Sequence, residues 1–157
     1  AAATDALEAV RDAVSVPVLR KDFVLTEAQL DAVEADAVLL IVRFLSDLAG
    51  MIEATRERGM TPLVETHTKN EVKRALEAGA SVIGVNNRDL GTLTVDRSTV
   101  ETLSPAVPDD RTLIAESGIQ TPAQCEQMLK AGADGLLVGS AIMDGTIEAN
   151  TRKLVTR

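Results

Sequence analysis

The sequence predicts an α/β fold with a parallel sheet, made of the (β/α) units of a TIM (β/α)8 barrel. Three observations predict it. Six short apolar runs alternate with stretches of helical periodicity along the 157 residues, and such alternation gives a parallel sheet with right-handed crossovers. The runs are rich in Val, Leu and Ile, as strands covered on both faces are. Every run also ends in polar residues, whereas a doubly wound open sheet concentrates them at one switch point. A closed barrel needs eight strands and typically about 250 residues. Six strands therefore make an incomplete or open barrel, in one domain over residues 1–157 without a linker.

The elements follow in order. Asp5 to Val14 has helical spacing, with Thr4 or Asp5 as N-cap, and Val16–Leu19 is the first strand. Thr26-Glu27-Ala28-Gln29 matches a capping box and opens a helix ending near Ala35. Ala37–Val42 is a buried strand; Ser46 caps a helix running to Arg58 and stopped by Gly59. Thr61–Glu65 is a strand, and Thr68 starts a helix closed by Gly79. Ser81–Val85 is a strand, followed by a loop with a short helix at Ser98–Leu103. Arg111–Ala115 is a strand, and Thr121-Pro122 starts a helix to Lys130. Gly135–Val138 is the last strand, and the final helix runs from Ala141 or Thr146 to the C-terminus.

Composition narrows the function. The net charge is −8, from 16 basic and 24 acidic residues, and there is no Trp or Tyr. That argues against nucleic acid as a partner, on charge and for want of stacking platforms. A surface so acidic repels itself at low salt, which points to a salt-loving source. No apolar run reaches the roughly 20 residues of a membrane span, and Ala1-Ala2-Ala3 leads into an acidic helical pattern with no secretory signal. No membrane partner is expected. The single Cys125 reads as a buried inert thiol in a reducing, cytoplasmic compartment. The four methionines, where they lie on helical faces, read as core fillers.

The chemistry gathers at the strand ends: Lys21, Arg43, Glu65, Asn86 with Arg88, Glu116 with Ser117, and Gly139 with Ser140. Parallel strands bring these to one rim, where barrels carry their sites. In Leu19-Arg20-Lys21-Asp22-Phe23, Lys21 stands where an apolar strand leaves the core. Taken alone this is a solvated charge cluster, Glu65 or Glu116 a strand-end charge, and Asn86-Asn87 a turn former. Taken together, one cation and two carboxylates make a general acid–base set. Burial would raise the carboxyl pKa values and Lys21 or Arg88 would lower them, so both protonation states stay open. Gly118 and Gly139-Ser140 let backbone N–H groups approach an anion, in the position where barrels commonly hold phosphate. His67 reads as loop structure or helix-terminus chemistry, because no Cys or carboxylate spacing makes it a metal ligand. No metal site is predicted, and the fingerprints GxGxxG and the P-loop are absent.

Five stretches together resemble one family: Val18-Leu19-Arg20-Lys21-Asp22-Phe23, Leu63-Val64-Glu65, Ile83-Gly84-Val85-Asn86-Asn87-Arg88-Asp89-Leu90, Ala115-Glu116-Ser117-Gly118-Ile119 and Leu137-Val138-Gly139-Ser140-Ala141. In order and spacing they are similar to indole-3-glycerol phosphate synthase over essentially the whole chain. The resemblance implies a (β/α)8 barrel lyase of tryptophan biosynthesis, working without metal or organic cofactor. Its substrate would be the phosphorylated small molecule 1-(2-carboxyphenylamino)-1-deoxyribulose 5-phosphate, which loses CO2 and water. Lys21 would be the general acid and Glu65 the general base, with Asn86 and Glu116 stabilising the intermediate. Arg88 and Ser117 would hold polar groups of the substrate, and Phe23, Leu90 and Leu137 its aromatic ring. Gly118, Gly139 and Ser140 would bind the phosphate. The family's first two strands, with a second catalytic lysine, have no counterpart here, so the chain corresponds to strands three to eight. The alternative reading is a non-catalytic barrel fragment that self-associates through its open sheet edges or keeps only a phosphate site. Another phosphate-binding barrel enzyme, such as an isomerase, fits Leu-Arg-Lys-Asp-Phe less well.

Overall fold

A computed structural model describes residues 2–155. Among them six parallel strands form one sheet in sequence order. These are β1 (Leu19–Arg20), β2 (Ala37–Ile41), β3 (Thr61–Thr66), β4 (Val82–Asn86), β5 (Thr112–Glu116) and β6 (Gly135–Leu137). The helices are α1 (Ala2–Ala13), α2 (Glu27–Leu30), α3 (Leu48–Glu57), α4 (Lys69–Glu77), α5 (Ser98–Leu103), α6 (Pro122–Lys130), α7 (Ser140–Met143) and α8 (Ile147–Leu154). The sheet is a curled half-barrel with helices outside. Lys21, just past β1, reaches Glu116 at the end of β5, which lies four strands away in the sheet.

Residue alternation divides the two faces. Val38, Leu40, Val64 and Ile83 point outward into one helix-packed core, and Val85, Leu113, Ala115 and Leu136 into a second. Leu39, Ile41 and Leu63 point inward, with Leu19, Val82, Ile114 and the loop residue Leu90 against them. Two strand residues further on, the same inner face becomes polar. Parallel register then sets the neighbours: Glu65 beside Gly84, Asn86 beside Glu116, and Glu116 beside Leu137.

At each end of the sheet an aspartate ties the outermost pair of strands at its base. Asp36, before β2, takes the Val18 N–H on its side chain at 2.7 Å and donates its own N–H to the Val18 carbonyl at 3.0 Å. Asp134, before β6, does the same with Leu113, both bonds being 2.8 Å.

The helices α4 and α6 lie where the capping signals predict and α5 where a short loop helix is expected, and Gly59, Gly79 and Gly132 follow their helices with positive φ. Several boundaries differ. Thr4 and Asp5 are inside α1 rather than capping it, because the alanines ahead of them are strong helix formers. Strand β1 holds only Leu19–Arg20; Val16 is exposed, beyond the point where β2 offers a partner. Helix α2 is a single turn ended at Asp31, whose carboxylate is drawn to Arg58 at 2.7 Å, rather than running to Ala35. Val42 leaves β2 for a 3-10 turn, and Asp47, not Ser46, caps α3 by accepting from the Gly50 N–H. The C-terminal helical stretch is split at Asp144–Thr146 into α7 and α8, the latter ending at Leu154; residues 156–157 lie outside the described residues. Met51, Met60 and Met128 are core residues, but Met143 is exposed on α7, beyond the last strand. Cys125 is buried, and burial pushes its thiol pKa up.

Candidate active site

Lys21 stands between two carboxyl groups. Its Nζ is 3.4 Å from Glu65 Oε2 and 3.2 Å from Glu116 Oε2. The lysine side chain is 49% exposed while each carboxyl is 1% exposed, so the cation closes a buried acidic pair toward solvent. The neighbour Arg20 faces the other way, buried, donating to the Gln29 carbonyl and to Asp22. Gln29 fixes the loop after Lys21: its side-chain oxygen accepts from the Leu25 and Thr26 N–H groups, and its amide donates to the Phe23 carbonyl.

The two carboxyls differ in state. Burial pushes Glu116 up, the charge of Glu65 adds to this, and Lys21 offsets only part, leaving its pKa at about 7. Burial raises Glu65 as well, but the adjoining His67 ring and Asn86 amide and the Lys21 charge outweigh it, and its pKa falls below the usual carboxylate value. Near neutral pH, Glu65 is the base-ready carboxylate and Glu116 holds or releases a proton. A pair whose environments drive the two pKa values apart is how one site supplies both acid and base.

Beside this pair is a cleft of about 320 Å³ lined by Lys21, Arg88, Glu116, Ser117, Gly118, Leu137, Gly139 and Ser140, among others. Ser117 and Gly118 both have positive φ, 66° and 74°. This turn is pinned from behind: the Asn87 amide donates to the Ser117 carbonyl at 3.1 Å, and a Cβ on Gly118 would collide with Val95. Gly139 is different. A Cβ there would meet nothing within 4 Å, so packing within the protein does not require that glycine. Its missing side chain leaves space on the cleft.

A family model described as indole-3-glycerol phosphate synthase matches residues 2–154. The chain belongs to the indole-3-glycerol phosphate synthase family. A curated indole-3-glycerol phosphate synthase of Halobacterium salinarum is 63% identical over 98% of this chain and 61% of its own length. One of Haloarcula marismortui is 61% identical over 96% of this chain and 59% of its own. The chain thus spans about three-fifths of these relatives. Solved structures show the same fold at low identity. Thiamine phosphate pyrophosphorylase from Pyrococcus furiosus has a TM-score of 0.71 at 19% identity, covering 98% of this chain and 72% of that one. A structure described as native KDPGal has a TM-score of 0.66 at 21% identity, covering 96% and 70%.

Within this indole-3-glycerol phosphate synthase fold, eight of the expected site residues line the cleft, and Glu65 and Asn86 are buried beside Lys21 and Glu116. Asn86 also accepts from the Arg88 N–H at 2.9 Å, which orients the loop carrying Arg88. Leu90 packs on the inner apolar cluster. Phe23 is exposed and meets Phe44 edge-to-face at 5.9 Å. Phe44, Gly84 and Glu71 are participants that the sequence does not single out, and His67 and Arg43 join the site through Glu71. The spacing Glu65-x-His67-x-x-x-Glu71 is nonetheless a signal of that group, because a strand period of two and then a helical period of four bring all three together.

Proposed function

We propose that the chain is the catalytic portion of an indole-3-glycerol phosphate synthase, one domain read as strands three to eight of the barrel. It converts 1-(2-carboxyphenylamino)-1-deoxyribulose 5-phosphate to indole-3-glycerol phosphate, CO2 and water. The observation that carries this is Lys21 bridging Glu65 and Glu116 from distant strands beside an open glycine-lined cleft. Lys21 donates a proton to the ribulose carbonyl oxygen as the aromatic carbon attacks, and the carboxylate leaves as CO2. Glu65 then takes a proton from the ring carbon next to the hydroxyl, while the hydroxyl takes a proton from solvent and departs as water. Glu116 and Asn86 hold the intermediate, and Arg88 and Ser117 its polar groups. Leu137, Leu90 and Phe23 cover the aromatic ring. The phosphate lies at Gly118, Gly139 and Ser140, where backbone N–H groups need no side chain in the way.

No described helix is long and apolar enough to cross a membrane. Together with a free buried Cys125, this supports a cytoplasmic biosynthetic enzyme. The acidic excess supports adaptation to salt. Among the described residues the two outer strands, β1 and β6, each have one partner, which supports association there with further chain or a second copy.

The test is turnover followed by product fluorescence, with product binding measured separately by calorimetry. Lys21→Met abolishes turnover and leaves product binding within a few-fold. A 157-residue chain that neither turns over substrate nor binds product overturns the reading.

A further inference from the structure

We propose that His67 is a positioning residue: an imidazolium held between Glu65 and Glu71, which keeps Glu65 the ionised member of the buried pair and leaves the proton on Glu116. The inference deepens the reading of Glu65 and Glu116 as base and partner, and rests on it.

The geometry comes from two elements. His67 follows β3 two residues after Glu65, so both side chains fall on one face. Glu71 stands in the first turn of α4, where its Oε2 accepts the His67 backbone N–H at 2.6 Å. The ring, 4% exposed, is clamped between them, with Nε2 3.3 Å from Glu65 Oε1 and Nδ1 3.5 Å from Glu71 Oε2. A neutral imidazole has one N–H and one lone pair, so one of its nitrogens would face a carboxylate lone pair to lone pair. Only the doubly protonated ring turns a positive N–H edge toward each, and the two contacts are ion pairs rather than aligned hydrogen bonds. Arg43, whose Nε is 3.4 Å from Glu71 Oε1, ends the row and anchors Glu71 from β2's side.

The row alternates in sign: Arg43, Glu71, His67, Glu65, Lys21, Glu116. Its asymmetry decides where the proton goes. Glu65 has a cation at each oxygen, His67 at Oε1 and Lys21 at Oε2. Among the described residues Glu116 has a cation at Oε2 alone, Lys21. The buried Oε1 of each carboxyl and both His67 ring nitrogens lack hydrogen-bond geometry, so the asymmetry is one of neighbouring charge. Two buried carboxyls this close do not both ionise readily, and the charge settles where counter-charge is greater. The titration directions agree. Burial pulls His67 down and Arg43 opposes its charge, but Glu65 and Glu71 raise it to about 9. Burial raises Glu71, yet His67 and then Arg43 bring it to about 2. A metal does not explain the cluster, since no group of three or more His, Cys, Asp or Glu among the described residues could hold one.

His67 is the chain's one histidine, so its imidazole nitrogen signals need no assignment. In the 157-residue chain, nitrogen NMR shows the ring still doubly protonated at pH 8, and a neutral ring there overturns the proposal. Carbon NMR of labelled glutamate carboxyls, assigned with Glu65→Gln and Glu116→Gln, reads the pair. In His67→Gln the Glu65 midpoint rises by about one pH unit and that of Glu116 falls; unchanged midpoints overturn the proposal. Should His67→Gln not fold, Glu71→Gln keeps the ring and lowers its midpoint by about one pH unit, an unmoved midpoint again being fatal. None of these measurements needs turnover. Absent turnover with these midpoints intact counts against the catalytic reading alone, and moved turnover with unmoved midpoints against His67 alone.

Discussion

Glu116 lies across Gly84. The two occupy neighbouring strands, and a Cβ added to Gly84 would collide with Glu116 Oε1. Gly84 is also the register partner of Glu65. The gap left by a missing side chain on β4 is therefore the passage through which a carboxyl from β5 comes to rest beside a carboxyl from β3. Without that gap, burial and mutual repulsion would push the carboxyls apart.

Gly84→Ala tests this directly. The obstructing atom is the end of a flexible side chain, so the backbone holds and unfolding free energy changes by less than about 1 kcal/mol. The Glu116 carboxyl swings away, and its midpoint drops from about 7 toward an ordinary glutamate value. Carboxyl carbon NMR checks the shift; an unaltered midpoint would show that the gap is irrelevant.

Glu116→Gln should stabilise the protein at alkaline pH. The folded-state pKa of Glu116 is raised to about 7 from 4.5, so the folded chain holds its proton more tightly than the unfolded one. Stability from this group is full below pH 4.5 and is lost as pH rises through about 7. The neutral amide escapes that loss. Urea unfolding at pH 8 should favour the variant by on the order of 1–3 kcal/mol, with the difference vanishing near pH 4.5. A difference constant with pH would contradict it.

The architecture was legible because its signals are local. Thr68 and Thr121 cap their helices through their own side chains, as their sequence context implies, and strand-length apolar runs alternate with helices throughout. Lys21, Glu65 and Glu116 were each visible as polar strand ends. Their convergence on one rim follows from parallel strands, but the direct contact of Lys21 with both carboxyls does not, because it depends on sheet curl, a property summed over five strands that no single run encodes. Gly84 hid inside an apolar run, where a glycine reads as weakened strand rather than room for a neighbour. His67 reads as loop structure or helix-terminus chemistry and does lie at the start of α4, against Glu71, but its place between Glu71 and Glu65 depends on α4 turning Glu71 back toward β3. Helix α2 ends at Asp31, which pairs with Arg58 27 residues away, a contact that helical periodicity does not register.

Gly118→Ala carries two penalties that can be separated. Gly118 holds φ at 74°, and the new methyl would strike Val95. Left-handed backbone alone costs a non-glycine residue about 1–2 kcal/mol. Adding Val95→Ala removes the collision but not the backbone cost, so urea unfolding of the double variant should recover only part of the loss relative to Val95→Ala alone. Full recovery would mean the turn relaxes freely.

Salt should stabilise the chain. At net charge −8, repulsion acts over about 10 Å in 0.1 M salt and about 3 Å in 1 M. The melting temperature should rise steadily from dilute buffer to molar potassium chloride. Indifference over that range would leave the acidic excess without a role in stability.

Asp36 and Asp134 give the two ends of the sheet the same fastening. Each grips its outer pair of strands by one side-chain and one backbone bond at the base, opposite the rim that carries the chemistry. A curled ribbon fastened this way opens at its mouth before it splits at its root. The rim can therefore breathe around a ligand while the outermost strands stay in register, and the amide protons of Val18 and Leu113 should be among the last at the margins to exchange with solvent.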